Sequence, residues 1–309
     1  MAGKTENIAS RKMRESRESP DFTRLPLMKG RLGAVVQHVS GRRPMMTTGH
    51  RHLEWEFNLV TRGRAAYAVA GRRVQMELDS LLLLLPTQTH VMMERSPDFL
   101  MWVVVVNPER LRELAGDEAY APWRGWLDGA PPEEPPHRLI GEEAARRLDA
   151  LCGRLSQPAW DQAPPSATGC ARHAAGLLWL AAEAWDAFIH APDHPAGTHL
   201  HPAVQRALTF LAEQAHLPEC EDLDALAARC AISRPHLSRL FAEQVGQTLT
   251  EFRTQQRVRR FTTLIGRGRR LNLTQAAFEA GFGSYAQAFR ALRQLTGKSP
   301  RDYVRGSVG

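Results

Sequence analysis

The chain has 309 residues, 43% of them apolar and 24% charged, enough for about two domains with packed cores and too much for a disordered tail or a lone small module. Its longest apolar runs, Leu81 to Leu85 and Phe99 to Val106, fall far short of the roughly 18 residues that span a bilayer. The net charge of +7 is unevenly placed: residues 201–309 hold 16 Lys and Arg against 9 Asp and Glu, while residues 1–200 hold 24 of each. The first 20 residues lack the apolar stretch of a secretory signal, so the expectation is a cytoplasmic protein without membrane contact. A basic domain joined to a neutral one is the footprint expected of nucleic-acid binding, although a solvated basic surface has the same composition. The four cysteines form no C-x-x-C pair, which points to reduced, structural thiols.

Taken in chain order, residues 1–28 are polar, rich in Arg and Ser and without apolar periodicity, and read as a flexible tail. Residues 29–110 carry short strands. Leu53, Trp55, Phe57 and Leu59 alternate with Glu54, Glu56 and Asn58, and Val74, Met76 and Leu78 repeat that period after a turn at Gly71. The runs 81–85 and 99–106 predict strands buried on both faces. About six strands with short turns suggest a small sandwich or barrel. Residues 111–195 change character: after a Pro-rich break, residues 141–155 and 166–191 each predict an amphipathic helix, suited to covering the β domain or pairing with a second subunit. A linker follows, and residues 200–309 read as helical with brief breaks.

Within that last part, Leu226, Ala227, Cys230, Ala231, Ile232, Leu237 and Leu240 occupy the core and turn positions of a 20-residue helix-turn-helix frame. The position of Ala227 must be small because two helices cross there, and Ser233 is placed to cap the second helix. Ala231 stands at the turn, where glycine suits the left-handed backbone better. About 50 residues later the pattern recurs in Ala276, Ala277, Ala280, Gly281, Phe282, Ala288 and Leu292. Between the two, Leu249 to Ile265 predicts a connecting helix.

The stretches LAARCAISRPHLSRLFAEQVGQTLTEFRTQQRV and AAFEAGFGSYAQAFRALRQLTGKSPRDYV resemble the C-terminal domain of the arabinose-regulator (AraC-type) family of bacterial transcription factors. Gly281, Phe282, Gly297, Pro300 and Tyr303 carry the resemblance most closely. Phe261, Ala288 and Leu292 depart from the usual residues. The resemblance implies double-stranded DNA as partner, with RNA polymerase as a further candidate. Helical geometry places Leu237, Leu240 and Phe241 inward in the first recognition helix, leaving Arg234, Pro235, Ser238 and Arg239 for DNA. In the second, Ala288, Leu292 and Leu295 are expected inward, leaving Tyr285, Ala286, Phe289, Arg290 and Arg293 outward. Arg239 and Arg290 are the candidates for bidentate contact with guanine, with phosphate contact or plain exposure as the alternative.

In the β domain His50, His52 and Glu56, followed by Gly63, match the first half of the cupin pattern, and their even spacing puts them on one strand face. His90 is in the region of the fourth ligand. The second half of that pattern is degraded: Ser80 and Gln88 replace glycines and Glu94 an asparagine. Alternation alone does not say which strand face is inside, so these four residues read as an effector pocket, a metal site or an exposed cluster. AraC-type regulators with cupin-like sensors, which this stretch also resembles, often keep such residues without metal.

The expected architecture is therefore α+β and multidomain: a cupin-like β-barrel or sandwich, a helical linker segment, and an all-α domain with two helix-turn-helix units. The expected function is a sequence-specific regulator, controlled by a small-molecule effector and homodimeric through residues 141–190. No catalytic residue, metal or cofactor is assigned. The rival from another class is a metal-dependent cupin oxygenase or isomerase with a structural helical domain, against which the repeat and the charge asymmetry argue.

Overall fold

Both faces of the strand are buried over residues 55–60, which answers the question that alternation left open. In the computed structural model, which describes residues 33–39, 54–86, 88–114, 121–127, 132–156, 167–195, 197–220, 222–266 and 271–305, the N-terminal half holds β1 (Gly33–Val39), β2 (Trp55–Arg62), β3 (Ala65–Val69), β4 (Arg72–Met76), β5 (Ser80–Leu84), β6 (His90–Arg95) and β7 (Leu100–Val106). The next stretch holds α1 (Pro108–Leu114), α2 (Ala121–Leu127), β8 (His137–Leu139), α3 (Glu142–Leu155), α4 (Ala167–His190) and β9 (Thr198–His199). One sheet runs β1-β7-β2-β5-β8 and the other β6-β3-β4-β9, with antiparallel pairing throughout.

Period-two geometry sorts β2 into two cores. Trp55, Phe57 and Leu59 point away from the second sheet and meet α3 and α4 through Leu148, Cys152, Leu177, Leu180, Trp185 and Phe188. The α4 residues recur at helical spacing, so one stripe of the helix covers the sheet. Trp55, Trp123 and Trp185 form a run of rings, with Trp123 stacked on Trp185 at 5.2 Å. On the other face Val60, Tyr67, Met76, Leu82, Leu84, Met92, Met101 and Val103 fill the space between the sheets. Strand β8 lies within the stretch read from sequence as helical. Three residues are too few for a local pattern, and its pairing with β5 is a tertiary event.

The C-terminal half is helical, with α5 (Pro202–Gln214), α6 (Leu223–Arg229), α7 (Arg234–Val245), α8 (Leu249–Gly266), α9 (Leu273–Glu279), α10 (Tyr285–Thr296) and α11 (Pro300–Arg305). Caps mark the helix starts as the sequence dictates: Asp222 accepts from two backbone amides at α6, Asn272 and Gln275 form a capping box at α9, and Ser284 accepts from Gln287 at α10. Ser233 precedes α7 but makes no side-chain cap hydrogen bond, so the expected capping role does not hold. The outer face of the second sheet, through Ala66, Ala68, Val91 and Met93, shares a core with α5 to α8. Arg73 Nη1 donates to Gln244 O at 2.6 Å and Gln247 Nε2 donates to Met93 O at 2.8 Å across the same seam. Among the described residues no helix is long and apolar enough to cross a membrane.

Candidate nucleic-acid interface and effector pocket

The first helix-turn-helix unit is α6 and α7. Leu226, Ala227, Cys230, Leu237, Phe241 and Val245 are buried together, and Ala227 has 2% exposure at the helix crossing. The turn passes through Ala231 at φ 58, a left-handed conformation that L-residues rarely adopt. The second unit is α9 and α10, with Ala276, Ala277, Ala280, Phe282, Ala288 and Leu292 in its core. Its turn has Gly281 at φ 88. A Cβ there would lie 2.6 Å from His216 Cα, so glycine is required by both conformation and space.

Pro235, Arg239, Ala286, Arg290 and Arg293 are exposed, and Ser238 and Phe289 are half-buried on the same ridges. Arg234 is also exposed, with Nη1 3.1 Å from Asp224 Oδ2. Tyr285 is less free than expected: it packs against the second core and lies 6.2 Å from Phe289, ring to ring. Leu295, expected inward, is 42% exposed. It falls one turn beyond the depth of the small three-helix core, so its apolar character does not bury it.

The basic excess of this half is only partly available to DNA. Arg206 Nη2 donates to Cys230 O at 2.6 Å, Arg257 Nε to Ala215 O at 2.6 Å, and Arg260 Nε to Glu279 O at 2.9 Å. Arg253 Nη1 donates likewise to Cys220 O. These carbonyls lie at or just beyond helix C-termini, which lack intrahelical donors and carry the negative end of the helix dipole. Four cations thus hold the domain together, a use that composition did not reveal.

The space between the two sheets holds the second site. Glu56 and His90 are 2% and 1% exposed and come together, His90 Nε2 lying 4.0 Å from Glu56 Oε1. Asn58 Nδ2 donates to Glu56 Oε1 at 2.9 Å, and His90 Nδ1 lies 3.0 Å from Gln88 O. His50 and His52 lie outside the described residues. Three interior groups were missed by sequence reasoning. Asn58 appeared there only as the polar half of an alternation, and its Oδ1 has no partner among the described residues. Tyr67 faces inward from β3, its hydroxyl pushed well up by burial and by Glu56, with Arg95 opposing. His137 on β8 is aligned with Leu82 in the β5 register, so it faces the same interior. Burial, then His194 and Arg138, lower its pKa to about 3. It is therefore neutral at pH 7, and its edge rests against the His194 ring at 4.8 Å. Among the described residues no group of three or more His, Cys, Asp or Glu is arranged to hold a metal.

A two-sheet domain with a buried polar cluster, joined to two helix-turn-helix units with exposed arginine ridges, defines a ligand-binding DNA-binding regulator. Comparison with known proteins agrees: the AraC-like ligand binding domain family matches residues 38–163 and the helix-turn-helix domain family matches residues 226–306. The chain belongs to the AraC-type family of DNA-binding regulators with an N-terminal ligand-binding domain. No curated protein matches it significantly.

Solved structures add fold likenesses. The C-terminal domain of AraT, a response regulator from Geobacillus stearothermophilus, is 23% identical over 35% of this chain and 87% of that one, with a TM-score of 0.31. An AraC-type transcriptional regulator from Chromobacterium violaceum is 22% identical over 34% and 92%, with a TM-score of 0.31. ToxT from Vibrio cholerae is 10% identical over 90% and 98%, with a TM-score of 0.37. The two family matches, not these likenesses, carry the assignment.

Proposed function

We propose that residues 29–110 sense a small molecule, that residues 111–195 cover the sensor sheet and dimerise, and that residues 200–309 read DNA. Arg239 and Arg290 contact guanines in successive major grooves, while Arg234, Pro235, Ser238, Tyr285, Ala286, Phe289 and Arg293 contact neighbouring bases or phosphates. The observation that carries this reading is the repeated unit with one exposed arginine in the middle of each recognition helix.

Glu56 and His90, with His50 and His52, form the effector pocket, and Asn58, Tyr67 and His137 complete its polar lining. The effector acts by binding one arrangement of the two domains more tightly than another. The protein is cytoplasmic, has no enzymatic activity and holds no catalytic metal; RNA polymerase is a candidate partner on DNA. In support of dimerisation, Trp179 and Ile189 on α4 are 56% and 47% exposed. The support is narrower than the sequence suggested, because Leu177, Leu180, Trp185 and Phe188 are already buried within the chain.

The test is fluorescence anisotropy of the full chain on a duplex enriched from a random library and on its scrambled counterpart. Preference of about a thousandfold or more, with affinity falling steeply as salt rises, is expected. Equal binding to both duplexes would overturn the reading. Light scattering at micromolar concentration tests the dimer, which a lone 34.6 kDa species, with and without that duplex, would refute.

A further inference from the structure

Helix α8 belongs to two cores in turn. Leu249 and Phe252 pack with the first helix-turn-helix unit, whereas Val258, Phe261 and Leu264 pack with the second. The two apolar clusters do not merge. Where the helix passes from one to the other it carries two buried polar residues, Gln256 at 3% and Arg257 at 6% exposure.

Arg257 bridges α5, which shares the core of the first unit, and the turn of the second unit. Its Nε donates to the carbonyl of Ala215, the C-cap residue of α5, at 2.6 Å. Beside the same Nε lies the turn of the second unit, where a Cβ on Gly281 would approach Arg257 Nε to 3.0 Å and the backbone of His216 to 2.6 Å. Helix α5, the connecting helix and the second turn therefore meet at one buried guanidinium. Burying a cation between apolar cores is costly unless its donors are used. A apolar residue would fill that space more simply, but it has no directional bond to hold the two units at one angle.

We propose that Arg257 is a positioning residue for DNA reading: it fixes the orientation of one recognition helix relative to the other, and so sets the spacing between half-sites that the protein accepts. This rests on the reading that both units bind one duplex. Arg257 does not contact DNA. It acts through the carbonyl of Ala215 and the Gly281 turn, which keep α7 and α10 in register with successive grooves.

The test uses the full chain and a bipartite duplex enriched from a random library, together with versions in which one base pair is inserted between or removed from the half-sites. Each such change rotates one half-site by about 35° and moves it about 3.4 Å. Wild type is expected to lose about 30-fold or more in affinity per base-pair change, the size of one lost bidentate base contact. Arg257→Met keeps the volume and removes the bond. It is expected to bind the best spacing more weakly but to lose less than about fivefold when spacing changes. Arg257→Lys, which keeps charge and a single donor, is expected to fall between the two and provides the measurement if the methionine variant does not fold. A merely structural role lowers affinity on all duplexes equally, so an unchanged spacing penalty in the folded variants overturns the proposal. A wild type that enriches no bipartite site overturns the two-unit reading itself, a distinct outcome.

Discussion

Replacing Ala231 with glycine should stabilise the DNA-reading half, an unusual direction for a substitution that removes a methyl group. The residue sits in the first helix-turn-helix turn at φ 58, with its amide donating to Ala228 O at 2.9 Å. A left-handed alanine costs about 1–2 kcal/mol relative to the right-handed region, because Cβ crowds the following carbonyl. Its side chain is exposed, so deleting the methyl forfeits little packing. Glycine adds unfolded-state entropy that offsets about 0.4–1 kcal/mol. The net expectation is a gain of about 0.5–1 kcal/mol, or roughly 3–6 °C in the melting temperature of a domain of this size.

The assay exploits an asymmetry in the sequence. All seven tryptophans lie at or before residue 185, so their fluorescence follows the N-terminal half, whereas circular dichroism also follows α5 to α11. Ala231→Gly should raise the circular-dichroism transition of the C-terminal half more than the fluorescence transition. A lower melting temperature would show that the methyl group matters more than the backbone strain. The mirror change, Gly281→Ala, should destabilise strongly, since there the turn is left-handed and also pressed against His216.

The remaining expectations concern charge. His137 has a pKa of about 3 in the folded chain, against an ordinary value of 6.5, because burial disfavours its charged form. The unfolded chain therefore binds its proton first. The stability is present above about pH 6.5 and is lost as pH falls toward 3, by about 2 kcal/mol at pH 5, and His137→Gln should flatten that slope in denaturation followed by tryptophan fluorescence. Arg239→Ala and Arg290→Ala should each cost about 1–3 kcal/mol on the enriched duplex and relax selectivity at different positions. Equal weakening on every sequence would make them phosphate contacts instead. Arg206→Met and Arg260→Met should leave the salt slope of DNA binding unchanged, because their guanidinium groups serve Cys230 O and Glu279 O. A slope reduced by about one would show that they contact phosphate.

The reading units were legible because their constraints are local. A small residue at the crossing, a left-handed turn and a fixed spacing of core positions leave a pattern within 20 residues, and it appears twice. The connecting helix was equally plain, observed as Leu249–Gly266. What the sequence hid depends on contacts between distant segments. The alternation of β2 could not say which face was inside because α3 and α4 bury one face and the second sheet buries the other. His137 is a single histidine in a three-residue strand, placed between the sheets only by pairing with β5. The arginines that serve helix ends looked identical in sequence to those that face outward. Glu56 and His90 were both anticipated as pocket residues and do meet, whereas the polar groups beside them, Asn58 and Tyr67, had no motif to announce them.

On the proposed reading, one chain reads two successive major grooves with two copies of the same unit. Base-by-base interference mapping of the full chain on an enriched duplex tests it most directly. Two clusters of essential guanines or thymines are expected, centred about 10 base pairs apart, one lost with Arg239→Ala and the other with Arg290→Ala. A single cluster erased by either substitution, or uniform dependence on the phosphate backbone with no essential base, would contradict it.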